Sequence, residues 1–157
     1  MCMTLLRRAL IGGAIAWAVA LPAATFVAAQ ARPDALASLF AVSVYLVGSA
    51  VCHQLDARSF HIWAHQMPVC ARCTGVYLGA AIAALTAVGG GRPIVAIHPR
   101  WMVGLALLPA AASLLYEWGT GVAPSNVTRA ATGLVAGGTV AWLMIADLTR
   151  PVERTTL

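Results

Sequence analysis

From Ala9 to Ala31 the chain carries no charged side chain, and apolar runs of the same character recur along its length. A stretch of that kind crosses the ~30 Å hydrocarbon core of a bilayer as a helix, because in lipid every backbone N–H and C=O must find its partner within the segment. Five spans are predicted, at about residues 9–29, 36–51, 74–88, 101–118 and 130–148. At a rise of about 1.5 Å per residue the first and last cross comfortably, whereas the third is short and must borrow flanking residues. The polar breaks are brief, and 61% of the 157 residues are hydrophobic against 10% charged. The expectation is one all-α domain over residues 1–157, a polytopic transmembrane helical bundle of about five spans.

The first span has a second outline. Arg7 and Arg8, an apolar stretch and "AQA" at Ala29–Ala31 resemble a cleavable secretory signal. The apolar region is longer than the usual ~7–15 residues of such a signal, so a retained helix is expected. "GGAIAWA", "GAAIAA" and "TGLVAGG" in the first, third and fifth spans read as packing faces, since small residues let helices approach closely in lipid. Pro22 and Pro109 fall inside spans and predict kinks.

All ten basic residues are arginine, and the acids are Asp34, Asp56, Glu117, Asp147 and Glu153, for a net charge of +5. In a membrane protein this excess sets orientation and meets anionic headgroups, and it does not indicate nucleic acid. Threading five spans puts Arg7–Arg8, the loop Cys52–Cys73 and the loop Glu117–Arg129 on one side. The other side receives "QARPD", "GGGRPIVAIHPR" with His98, and "RPVERTTL". Each side then holds five arginines, and the pair before the first span places the cysteine loop in the cytoplasm, with the chain multi-pass in the cytoplasmic (inner) membrane. Asp147 reads as interfacial, and "GGGRP" lacks the ending of a phosphate-binding loop.

The chemistry collects in "CHQLDARSFHIWAHQMPVCARC". Cys70 and Cys73 have the spacing with which two thiolates wrap one metal, and Cys52 with His53 or His65 completes a tetrahedral set. Zinc is the first expectation, with copper or iron compatible with the same ligands. A C-x-x-C at a helix start also suits thiol–disulfide exchange, with Cys52 as relay and a membrane quinone as electron partner, because the unpaired amides and Arg72 favour the thiolate. Cys2 reads as an incidental thiol. "RSFHIWAHQ" is read as a short interfacial helix with His61 and His65 on one face, Phe60 and Trp63 anchoring it.

A second wall comes from "LLYEWG" and "APSNVTRAATG". Ser125 or Asn126 caps the fifth helix and Arg129 pairs with Glu117. In a catalytic reading Glu117 is the acid/base with Arg129 beside it in the catalytic site, while Arg58, Arg72 and Asn126 hold a charged lipid head or small amphiphile. Three function classes follow: a metal site acting on a lipid-like molecule, a thiol oxidoreductase, and a non-catalytic membrane scaffold.

At these residues the sequence resembles an uncharacterised family of small bacterial and archaeal polytopic membrane proteins. Its marks stand here as "CHQLDARSF", "QMPVCARCTGVYLG" and "SNVTRAATG", covering roughly half the chain. The resemblance implies a helical membrane fold and gives the site's address, with no activity attached. Relatives tend to carry Asp-Gly at the end of the fourth span, where this chain has Glu117-Trp118.

Overall fold

The computed structural model describes residues 2–89 and 98–148; Arg92, Arg150, Glu153, Arg154 and the side chain of Cys2 lie outside that description. Five helices form: α1 (Cys2–Ala28), α2 (Ala35–Val51), α3 (Ala71–Val88), α4 (Pro99–Thr120) and α5 (Asn126–Asp147). Between α2 and α3 lie a 3-10 turn (Asp56–Arg58) and two strands, β1 (Ser59–Ile62) and β2 (His65–Cys70).

The helix ends follow from local chemistry. Asp34 Oδ1 accepts from the Ala37 amide at 2.8 Å and Ser125 Oγ from the Thr128 amide at 3.1 Å, so both are N-caps that satisfy amides without a helical partner. Pro99 opens α4, where its missing N–H costs nothing, and Gly121 closes it at φ 69°. Pro22 and Pro109 lie within α1 and α4.

Parallel helices α3 and α5 form the tightest contact. A Cβ on Gly75 would run into the Ala130 carbonyl, one on Gly79 into that of Leu134, one on Gly133 into that of Arg72, and one on Gly137 into that of Val76. Each helix therefore contributes two glycines one turn apart, and their backbones meet directly, which is how helices gain van der Waals contact where lipid offers no hydrophobic driving force.

Helix α1 runs antiparallel to α3. Arg7 Nη2 donates to the Ala87 carbonyl at 3.1 Å, while at the far end of α1 Leu21 and Ala24 share a core with Cys52, Met67 and Val69, and Phe26 meets Trp63 edge-on at 5.2 Å. This corrects the expected threading: Arg7 and Arg8 lie at the end of the bundle opposite the cysteines. The reason is α2. Four helices, α1, α3, α4 and α5, are long and apolar enough to cross a membrane, and α2, at 17 residues, is shorter. It starts beside the end of α1 and finishes at Cys52, so both its ends belong to the cysteine end and it does not carry the chain to the other side.

The segment read as an interfacial helix is a β-hairpin. β1 and β2 pair antiparallel through a two-residue turn at Trp63 and Ala64, whose φ angles of 53° and 61° match the twist of a tight hairpin. His61 stands opposite Gln66 and Ile62 opposite His65, so the two histidines do not share a helix face. α3 begins at Ala71, three residues before the predicted span, which makes Cys70 its N-cap and places Cys73 in its first turn.

Candidate metal centre

Three chain segments converge at the start of α3. The end of α2 delivers Cys52, the end of β2 delivers Cys70, and the first turn of α3 delivers Cys73. Their sulfurs all lie within 4.8 Å of one another. The Cys70 amide donates to Cys52 Sγ at 3.2 Å, so backbone as well as side chain fixes the geometry. Cys52 is buried and the other two are half-buried; all three are free thiols.

A network of glutamines holds the segments in place. Gln54, at φ 47°, donates from Nε2 to the carbonyls of Pro68 and Tyr45 at 2.6 and 3.0 Å. Gln66 Nε2 donates to the Gln54 carbonyl at 2.6 Å and to Ser59 Oγ at 3.1 Å, and the Tyr45 hydroxyl donates to the Gln66 carbonyl at 2.5 Å. Gly48 lets α2 come down on the Pro68 carbonyl, which a Cβ would meet. The sequence reading assigned Gln54, Ser59, Gln66 and Tyr45 no part. The available signal was two glutamines and a serine in the loop between two apolar helices, where an amide that becomes buried must find a partner.

The cluster favours a thiolate. The Cys73 thiol is the main cause, joined by the amides of Cys73 and Arg72 in the first helical turn and by the Cys52 thiol; burial opposes them, and the Cys70 thiol is held down at about 5.

Of the five predicted ligands the structure brings together Cys52, Cys70 and Cys73. His53 and His65 are both exposed and stand apart from that group, and His65 Nδ1 lies 3.1 Å from the Trp63 carbonyl within its own turn. His61 pairs with Asp56 at 2.8 Å on the outer surface.

The second wall lies on α4 and α5. Glu117 Oε1 accepts from Arg129 Nη2 at 3.0 Å and from Arg58 Nη2 at 2.7 Å. Side-chain exposures of 4% for Arg129, 11% for Glu117 and 49% for Arg58 grade the trio from the bundle interior outward. One turn back on α4, Ser113 Oγ accepts from Arg72 Nη2 at 2.8 Å, so α3 and α5 both grip the same face of α4. Asn126 Nδ2 donates to the Ser59 carbonyl at 3.0 Å and ties α5 to the hairpin. The Nε atoms of Arg7, Arg72 and Arg129 are buried without a hydrogen-bond partner.

The family model described as "Predicted membrane protein (DUF2085)" matches residues 52–143, more than half of the chain. An uncharacterised protein of Methanocaldococcus jannaschii, MJ1492, is 34% identical over 111 residues, covering 66% of this chain and 67% of its own. An uncharacterised protein of Methanothermobacter thermautotrophicus is 53% identical over 30 residues, which is 19% of this chain and 27% of that one. No solved structure matches. A helical membrane fold, a matched region that opens at Cys52 and an archaeal relative aligned over two thirds of its length lead to one assignment: the chain belongs to the DUF2085 family of predicted membrane proteins.

Proposed function

We propose that the chain is a membrane metalloprotein in which Cys52, Cys70 and Cys73 hold one transition metal, zinc first. The observation that carries the reading is the mutual distance of the three sulfurs, all within 4.8 Å. Zn–S bonds of about 2.3 Å in a tetrahedral arrangement set sulfurs about 3.8 Å apart, so an adjustment of about 1 Å closes the site. Three thiolates suit a soft or borderline ion, which also admits copper. Three protein ligands leave a fourth position for a small polar group, the coordination of a reactive rather than a closed structural centre. On this reading the half-exposed Arg58 meets the anionic part of a lipid or small amphiphile, Glu117 and Arg129 position it, and Arg72 and Asn126 brace the wall.

The antiparallel course of α1 favours a second reading. The arginine pair before the first span marks the cytoplasmic side, which puts the cysteines on the opposite face of the cytoplasmic membrane, where thiols are not kept reduced. There the same trio serves as a thiol–disulfide oxidoreductase, Cys70 and Cys73 forming the redox pair and Cys52 the relay.

One experiment separates them. Metal analysis by inductively coupled plasma mass spectrometry, wild type beside the Cys70→Ser, Cys73→Ser double variant, is expected to give about one transition metal per chain that the variant loses. Metal-free wild type with a Cys70–Cys73 disulfide that forms and reduces reversibly sinks the metal reading and supports the redox one. Inert, metal-free thiols leave the scaffold.

A further inference from the structure

The starts of α3 and α5 carry a charge imbalance. The two helices run in register, since Gly75 faces Ala130, each four residues after its helix begins, so their positive dipole ends lie side by side. Neither first turn holds an acid, and each holds an arginine instead, Arg72 and Arg129, where the helix dipole disfavours a cation. Both guanidiniums reach the same face of α4, Arg72 at Ser113 Oγ (2.8 Å) and Arg129 at Glu117 Oε1 (3.0 Å), one turn apart. Both keep a buried Nε–H without an acceptor. Among the described residues Glu117 is the one acid that pairs with Arg58, Arg72 or Arg129; Asp34 caps α2, Asp56 pairs with His61, and Asp147 stands at the far end of α5. Cys70 and Cys73 turn the other way, onto the core shared with α1 and α2. Three guanidiniums against one carboxylate leave two positive charges uncompensated, with the Arg129 side chain only 4% exposed.

We infer that Arg58, Arg72 and Arg129 form a site for a phosphate monoester, carried on a lipid or free as inorganic phosphate. Charge selects the class. A phosphomonoester brings about −1.5 to −2 at pH 7 and three strong acceptor oxygens, which answers both the two uncompensated charges and the N–H donors without acceptors. A phosphodiester or a carboxylate brings one charge and leaves an arginine unbalanced near lipid, where an unpaired cation is costly. Guanidinium groups suit the task because their N–H pairs match phosphate oxygens. The two parallel helix starts add a fixed positive field at the same place. Depth orders the site: Arg129 and Arg72 form its inner part, and Arg58, 49% exposed, is the outer lip. The wall that yields to admit the oxygens is α4, which buries only Ala106 and is tied to α3 through Arg72. The inference rests on the reading of this wall as the face that meets an anion, and it is independent of the metal.

The test is native mass spectrometry of the full chain in a nonionic detergent, titrated with three probes: inorganic phosphate, a short-chain phosphatidic acid, and a phosphatidylglycerol with the same chains. One phosphatidic acid per chain is expected, bound at least about tenfold more tightly than phosphatidylglycerol and weakened at least about tenfold in Arg72→Gln and in Arg58→Gln. Inorganic phosphate bound as well as phosphatidic acid supports the site with free phosphate as its ligand, and phosphate ignored supports it with a lipid head. Phosphatidylglycerol bound as tightly as phosphatidic acid overturns the phosphomonoester and leaves the wall as an anion face. No probe bound overturns both, and binding undiminished in the variants overturns the assignment to these arginines. The ranking of the three probes in wild type decides the class even where Arg72→Gln fails to fold, and Arg58→Gln, on a half-exposed side chain, tests the assignment.

Discussion

Helix α3 presents two faces built from the same kind of residue to opposite ends. Toward α5, glycines at 75, 79, 133 and 137 let backbone meet backbone, and Arg72 and Arg129 tie both helices to α4. Toward α1, Gly13 looks alike in sequence yet touches nothing and lines an open groove. A small residue in a membrane helix removes volume, and the neighbour decides whether that volume is closed by another backbone or kept open for something else.

The comparison is broken most severely at the polar tie. Glu117→Ala leaves Arg129, 4% exposed, without its carboxylate. The expected loss is about 3–5 kcal/mol, read as a fall in unfolding midpoint in detergent, because the variant strands a buried charge. An unchanged midpoint would mean that water already reaches Arg129.

Next come the glycines. Gly137→Leu drives a side chain into the Val76 carbonyl and is expected to cost about 1–3 kcal/mol or more by the same assay. Gly13→Leu, with open space around it, is expected to stay within about 0.5 kcal/mol. Equal effects at both positions would erase the distinction between the two faces of α3.

The last effect lies outside both faces and has the opposite sign. Ala64→Gly relaxes a backbone held at φ 61°, and a gain of about 1 kcal/mol is expected in the unfolding midpoint. A loss there would show that the Ala64 methyl has a packing role that the hairpin geometry does not reveal.

The contrast also marks how far the sequence was legible. Five helices and the meeting of three cysteines follow from apolar runs and ligand spacing, and Glu117 with Arg129 from residue types at two helix ends. The course of α1 does not follow. Hydropathy registers that α2 is apolar, and a 17-residue apolar helix has the same composition whether it crosses or folds back. The hairpin was hidden because Trp63-Ala64 lacks the Asn-Gly signal of its turn and the strands are too short for a clear alternation. His53 and His65 read as ligands by proximity in sequence, and a two-residue turn carries His65 away from the thiols.

The level of the cysteines has a kinetic consequence. α1 shares their core at Leu21 and continues to Ala28, seven residues or about 10 Å farther along a helix that carries no charge beyond Arg8. A reactant that reaches those thiols from the lipid arrives at its concentration in the bilayer rather than in water. For such a molecule the partition coefficient enters the rate law, and a sparingly soluble amphiphile at trace aqueous levels can outcompete an abundant polar thiol reagent.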